Sequence, residues 1–97
     1  MGFDFLFSLI EIFTIAGVSG TRSITGDGTN IYLGLATDQI AIVDPATKTL
    51  TGAISITGNA AGSGSRVCTY DPTLDGGNGG FYSANFTSDI GVVSMTG

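Results

Sequence analysis

Oxygen-bearing side chains in one glycine-rich loop are the first candidates for chemistry. The loop DPTLDGGNGG carries Asp71, Asp75 and Asn78, and Ca²⁺ accepts carboxylate and amide oxygens as ligands. The spacing lacks the ligand order of an EF-hand loop. A turn that begins at Asp71-Pro72 and uses glycines at positive φ explains the same residues without a metal. The sequence therefore predicts no cofactor, with calcium at this loop as the alternative.

Two arginines offer the second candidate site. Arg22 and Arg66 each stand five residues before an aspartate, Asp27 and Asp71 respectively. Facing a channel, they could bind an anionic ligand, whereas an ion pair or backbone hydrogen bonds would give them a structural role, which we favour. Asp27 and Asp71 could also act as an acid–base pair, but turn roles explain both. We predict no catalytic residue.

Other motifs do not indicate an enzyme. The chain has no histidine and one cysteine, Cys68, so we expect a buried structural thiol rather than an activated nucleophile. The run GGNGG lacks the Lys-Ser or Lys-Thr that follows a phosphate-binding loop. Asn85 begins a glycosylation sequon that we expect to be incidental. We expect the main aromatic residues to be core or cross-strand partners, with a sugar-stacking platform as the alternative: Tyr32, Tyr70, Phe81, Tyr82 and Phe86.

Length and composition bound the function further. The 97 residues form one domain at most. Sixteen glycines, 42% hydrophobic residues and 11% charged residues indicate a β-rich chain with tight turns. Three basic residues stand against eight acidic ones, for a net charge of −5. This balance argues against binding nucleic acid, which needs clustered Lys and Arg, and against docking on an anionic membrane.

Residues 31–56 form the stretch around which the chain is organised. They read as three strands, IYLGLA, QIAIVD and TLTGAISI, separated by turns at Thr37-Asp38 and at residues 45–48. Asp44-Pro45 ends the middle strand, because proline lacks an N–H and disfavours a helical residue before it. Gly52 inside the third strand indicates a bulge or a close backbone approach.

The apolar N-terminus is predicted to be a strand over residues 9–15, ending in a turn at residues 16–20. A signal peptide is disfavoured because the early charge is Asp4 and Glu11 interrupts the apolar run. No apolar run is long enough to span a bilayer. An amphipathic helix over residues 3–13 is the local alternative.

The two halves of the chain repeat one pattern. Arg66, Thr69 and Asp71 match residues 44 positions earlier, and Tyr82 and Ile90 match residues 50 positions earlier. The difference is a six-residue insertion in the loop TLDGGNGG. A period of this size with short strands is typical of a β-propeller. The chain therefore reads as an all-β, antiparallel partial propeller of about two blades, with four-stranded blades as its unit.

These blades divide residues 1–97 into three parts. Residues 9–15 are the last strand of a preceding blade, residues 22–56 a blade, and residues 66–95 an incomplete blade. Two blades leave apolar faces uncovered, whereas propellers close with several. Three explanations stay open: a fragment of a longer chain, identical copies that close a ring, or a compact sandwich.

The stretch IYLGLATDQIAIVDPATKTLTGAISI resembles YVTN and NHL-like propeller repeats, with their V-x-V-x-D strand and P-x-T turn. FTIAGVSGTRSITGDGTNIY and YDPTLDGGNGGFYSANFTSDIGVVSMTG are similar to secreted propeller proteins of the Bacteroidota. The resemblance covers roughly residues 13–97 and departs at Tyr82, where Trp is expected, and at Phe86. It implies an extracellular or cell-surface setting.

The sequence thus predicts a non-catalytic binding or structural propeller segment. Its partners would be neighbouring blades or identical copies, with a protein or glycan ligand as a further possibility. A propeller-scaffold lyase or lactonase, with catalytic groups supplied largely from outside this segment, and a carbohydrate-binding module are the alternatives.

Overall fold

A computed structural model describes residues 9–56, 67–84 and 90–97. These residues form seven antiparallel strands in two sheets and one short 3-10 turn, Asp75–Gly77. The strands are β1 (Thr21–Gly26), β2 (Ile31–Leu35), β3 (Gln39–Asp44), β4 (Thr49–Ser55), β5 (Val67–Asp71), β6 (Gly80–Ala84) and β7 (Ile90–Ser94). The all-β, antiparallel prediction is confirmed.

The first sheet is a four-stranded meander in the order β1-β2-β3-β4. Its β3–β4 turn follows the proline signal, since the carboxylate of Asp44 accepts the N–H of Ala46 at 2.9 Å. Lys48 closes this turn at a φ of 58°. In the β3–β4 ladder the register shifts between Ile42 and Val43, next to Gly52. The predicted bulge is therefore present.

The second sheet is a three-stranded meander in the order β5-β6-β7. The connection from β5 to β6 contains the insertion, and glycines at positive φ shape it. Gly79 has a φ of 93°, and a Cβ there would lie 2.5 Å from the hydroxyl oxygen of Tyr70. Only glycine allows the Tyr70 ring to lie against this turn.

Strand pairing confirms that the two sheets repeat one unit. Tyr32 pairs with Ile42 in the first sheet, and Tyr82 pairs with Val92 in the second, each 50 positions later. The β1–β2 and β5–β6 ladders keep the other offset, because Thr25 pairs with Tyr32 as Thr69 pairs with Tyr82. The repeat in the amino-acid sequence is therefore also a repeat of the strand-pairing register.

Each sheet has two faces, because side chains alternate along a strand. We call the front face the one that carries Tyr32, Ile40 and Ile42 in the first sheet and the repeat-related Tyr82, Ile90 and Val92 in the second. The back face carries Ile24, Ile31, Leu33 and Val43 in the first sheet and the repeat-related Cys68, Phe81, Ser83 and Val93 in the second. These names are used below for both sheets.

The front face of the first sheet packs on the back face of the second. The resulting inter-sheet core comprises Tyr32, Ile40, Ile54, Ile56, Cys68, Phe81 and Val93. The rings of Tyr32 and Phe81 meet edge to face with centroids 4.9 Å apart, and Tyr70 stacks on Tyr32 at 6.0 Å. Aromatic contacts of this kind add about 0.5–1.5 kcal/mol each beyond the burial of their area. The N–H of Tyr70 also donates to Oγ1 of Thr25 across the interface.

Residues 9–15 do not form the predicted strand, and they form no helix either. They run beside the first sheet, and Ile15 and Val18 pack against its back-face cluster of Leu33, Leu35, Ala41 and Val43. The strand prediction is wrong for the single chain, because a strand needs a partner backbone for its hydrogen bonds. None of the described strands pairs with this segment. The predicted turn that follows is present at Ala16 and Gly17.

Several predictions concern residues outside the described ranges. These are Arg66, the first residues of the alternative N-terminal helix, the loop at 58–65, and the sequon with Phe86. Within the described ranges, no helix is long and apolar enough to cross a membrane.

Candidate functional site

An apolar cleft opens on the back face of the first sheet. It lies between residues 13–18 and strands β1, β2 and β3, and has a volume of about 370 Å³. Its lining is Phe13, Thr14, Ile15, Val18, Thr21, Ile24, Ile31, Leu33 and Val43. Ile24 is 67% exposed at its mouth. The lining offers burial to an apolar partner and only two threonines for directed hydrogen bonds.

The front face of the second sheet is the other uncovered apolar surface. It combines Tyr82 and Val92, a cross-strand pair, with Ile90 and Val67 on the flanking positions. All four side chains are exposed, and Ile90 is 69% exposed. This exposed apolar face is a candidate interaction surface.

Residues 13–18 border the cleft because Ile15 and Val18 pack on the first sheet, and Lys48 adds contacts to the residues just before them. Nζ of Lys48, in the β3–β4 turn, lies 2.7 Å from Oε2 of Glu11 and 5.5 Å from the ring centroid of Phe13. Leu50 also lies close to Gly17. The ion pair and the cation–π contact are exposed, so each adds only a small stabilisation to this extended segment.

Asp27, one of the proposed acid–base pair, organises the β1–β2 turn. Its Oδ1 accepts the N–H groups of Thr29 and Asn30, and its Oδ2 accepts the hydroxyl of Tyr32 at 2.6 Å. The hydrogen bonds from Asn30 and Tyr32 lower the pKa of Asp27. Burial, together with this bond, raises the pKa of Tyr32 to about 12. The carboxylate therefore stays ionised as an acceptor, which suits a structural role.

Asp71 plays the corresponding part in the second sheet. Its Oδ1 accepts both the hydroxyl and the N–H of Thr73, and these bonds lower the pKa of Asp71. Asp75 accepts the N–H of Asn78 through its backbone oxygen. No group of three His, Cys, Asp or Glu side chains in the described part of the chain is arranged to hold a metal ion. The calcium prediction rests on the loop composition alone.

Arg22 lies exposed on β1, where the register with β2 shifts. No ion pair joins Arg22 to Asp27, since the one pair closer than 4 Å among the described residues joins Lys48 and Glu11, and the structural role expected of Arg22 stays a prediction. The repeat-equivalent Arg66 lies outside the described residues. Cys68 is buried as expected, and burial raises the pKa of its thiol to about 11.

Sequence reasoning did not identify the cleft. Its signal was present in the repeat, since Ile24 and Cys68 are equivalent positions and both are apolar. No protein-family model, curated protein or solved structure matches this chain.

Proposed function

We propose that this chain is a non-catalytic structural or binding segment of a β-propeller, in a secreted or cell-surface protein. The observation that carries the proposal is the stacking of two repeat-related sheets, front face on back face. Propeller blades are antiparallel four-stranded meanders that repeat radially around a central channel. The extracellular setting rests on the sequence resemblance.

The polarity of the stack supports this proposal over a compact sandwich. In a sandwich that closes on itself, both sheets turn equivalent inner faces to one core and leave polar faces outside. Here the outer faces carry Ile24 on one side and Ile90 with Val92 on the other, all exposed. A stack with apolar faces at both ends is suited to extension by further sheets.

The carboxylates support a structural rather than a catalytic role. Asp27, Asp44 and Asp71 each accept backbone N–H groups within a tight turn. Groups used in this way define the ends of strands and the geometry of turns.

A covalent tandem of two or three copies, joined by flexible linkers, tests the proposal. In a repeat stack, stability is a sum of unit and neighbour-interface terms, so added units raise the unfolding free energy and the cooperativity. We expect the tandem to show a higher urea midpoint and a larger m-value than the single copy.

The matched control joins one copy to an unrelated β-domain of similar size through the same linker. If the tandem and the control unfold at the midpoint of the single copy, the chain is a self-contained sandwich and the proposal is wrong.

A further inference from the structure

The two uncovered faces are the two halves of an interface that the molecule already contains. Inside the chain, a front face covers a back face. What remains open is the front face of the second sheet and the cleft on the back face of the first, where Leu33 and Val43 are already buried beside Ile15 and Val18. Ile40 is fully buried in the existing interface, whereas its repeat equivalent Ile90 is 69% exposed. Likewise Cys68 is 3% exposed and its equivalent Ile24 67%. Ile90 and Ile24 are therefore exposed at positions whose repeat equivalents face each other inside the chain.

A third repeat match concerns the N-terminal segment. Leu9, Ile15 and Gly17 are identical to the residues 41 positions later, namely Leu50, Ile56 and Gly58. Between them Phe13 corresponds to Ile54 and Thr14 to Ser55. Residues 9–15 therefore have the pattern of β4, the fourth strand of the first sheet, which has no counterpart among the described strands of the second sheet.

Position in the structure agrees with this match. Ile56 follows β4 and packs in the inter-sheet core, which includes Phe81 and Val93 on the back face of the second sheet. Ile15 packs against the back-face cluster of the first sheet, which includes Val43, the equivalent of Val93. The segment thus lies on the first sheet as the end of β4 lies on the second. A four-stranded sheet built on this segment would place three further strands above the cleft.

We infer that a second copy of this chain docks head to tail on the first. The front face of the second copy's β5–β7 sheet fills the cleft, and its β7 strand pairs with residues 9–15 of the first copy as a fourth strand. This inference rests on the proposed function and specifies its partner. Such an interface is heterologous: each copy contributes the front face of its second sheet to one neighbour and its cleft to another.

The register of the new pairing follows from the repeat. Ile40 pairs with Ile54 and Val43 with Leu50 in the β3–β4 ladder. Adding 50 to the β3 residues and subtracting 41 from the β4 residues gives the equivalent pairs, Ile90 with Phe13 and Val93 with Leu9. β7 is bonded to β6 on one side, and no described strand pairs with its other side. A free edge that carries exposed apolar residues is a template for strand addition.

Two lysine variants test the interface surface by surface. Ile24→Lys places a charge in the cleft, and Ile90→Lys places one on the front face of the second sheet. Both side chains are exposed in the single copy, so circular dichroism should show unchanged folds. A lone charge buried on docking is costly. We expect light scattering behind size exclusion to show at least about tenfold weaker self-association for each variant than for the wild type.

Mixing the two variants gives the sharper result. The Ile24→Lys copy keeps an intact front face, and the Ile90→Lys copy keeps an intact cleft. Head-to-tail docking therefore predicts a one-to-one dimer that grows no further. A face that pairs with itself would give no association in the mixture beyond that of the separate variants.

Variants with one added cysteine test the strand register. Directly opposed residues on antiparallel strands have Cβ atoms about 4.5–5.5 Å apart, and a small backbone adjustment brings them to the roughly 3.5–4.5 Å of a disulfide. We expect Phe13→Cys mixed with Ile90→Cys to form an intermolecular disulfide under mild oxidation. Phe13→Cys mixed with Val92→Cys, two residues out of register, is the control. Cys68 stays in place because it is buried.

A wild-type chain that is folded and monomeric at all concentrations would overturn this inference, as would self-association that neither lysine variant weakens. Equal cross-linking of the matched and out-of-register pairs would contradict the strand pairing. The tandem experiment stays separate, because a stabilised tandem with monomeric single copies would support the propeller segment and reject the second copy as its partner.

Discussion

The front faces of the two sheets have nearly the same pattern and opposite surroundings. Tyr32 is 2% exposed and Tyr82 40%, although each pairs with an equivalent β-branched residue on the neighbouring strand. The difference arises because the second sheet covers the first, while no described sheet covers the second. Burial here is a property of the neighbour rather than of the sequence pattern. Under the proposed head-to-tail docking, the apolar residues on the open face would form an interface of the same kind.

The largest test of this comparison uses one substitution at two equivalent positions. Ile40→Ala removes a fully buried side chain from the inter-sheet core and should lower the unfolding free energy by about 2–5 kcal/mol. Ile90→Ala, at the equivalent exposed site, should change it by less than about 0.5 kcal/mol. Urea unfolding in dilute solution measures both. Equal losses would mean that the second sheet's front face is also buried in the monomer.

The turns of the two sheets provide the next test. Gly28 and Gly79 have nearly the same φ, 91° and 93°, but only a Cβ at Gly79 would meet a neighbour, Tyr70. Gly28→Ala should cost about 1–2 kcal/mol from backbone strain alone. Gly79→Ala should cost about 3 kcal/mol, because the Tyr70 ring is held by Tyr32 and Phe81 and cannot yield freely. Thermal or urea unfolding separates the two contributions.

Asp27 and Asp71, which begin the equivalent turns, should contribute differently to the pH dependence of stability in acid. The lowered pKa of Asp27 means that its contribution to stability is present above the pKa of the unfolded chain and is lost as pH falls through the folded value. We expect wild-type stability to decline below about pH 4. Asp27→Asn should lose about 1 kcal/mol at neutral pH, because the Tyr32 hydroxyl then donates to a neutral acceptor.

The control for this prediction is Asp71→Asn. Asp71 also has a lowered pKa, caused mainly by hydrogen bonds from Thr73 and to a smaller extent by the hydroxyl of Tyr82, which is exposed where Tyr32 is buried. The fall in the free energy of unfolding at low pH should be reduced less by Asp71→Asn than by Asp27→Asn. The same pH dependence in both variants would show that the Tyr32 contact adds nothing.

The smallest effect is expected at the N-terminal segment. Lys48→Met removes the ion pair with Glu11 and the cation–π contact with Phe13. Because both partners are exposed, we expect a loss of at most about 1 kcal/mol that shrinks as salt rises. Proteolysis near Phe13 should accelerate more than global unfolding. A large loss of stability would mean that the segment belongs to the cooperative core.

The strands were predictable where local chemistry determines them. Asp44-Pro45 ends β3 in the structure as in the sequence, and the bulge lies beside Gly52. The strand predicted at residues 9–15 is absent from the single chain. Their apolar pattern indicates strand propensity but cannot supply the partner backbone that a strand needs. The cleft was missed for a related reason, since the exposure of Ile24 depends on which sheet faces it. Asp27 was considered for catalysis, and its bond to the Tyr32 hydroxyl appears only once β2 is in place.

The single thiol of the chain gives direct access to the stacking energy. Cys68 lies between the sheets at 3% exposure, and its raised pKa keeps it protonated at neutral pH. A thiol reagent reaches it only when the sheets separate or the chain unfolds. The ratio of its labelling rate to that of an unhindered thiol therefore measures how often the sheets open, without any added probe. Labelling that slows as protein concentration rises would show that contact with another copy restrains this opening.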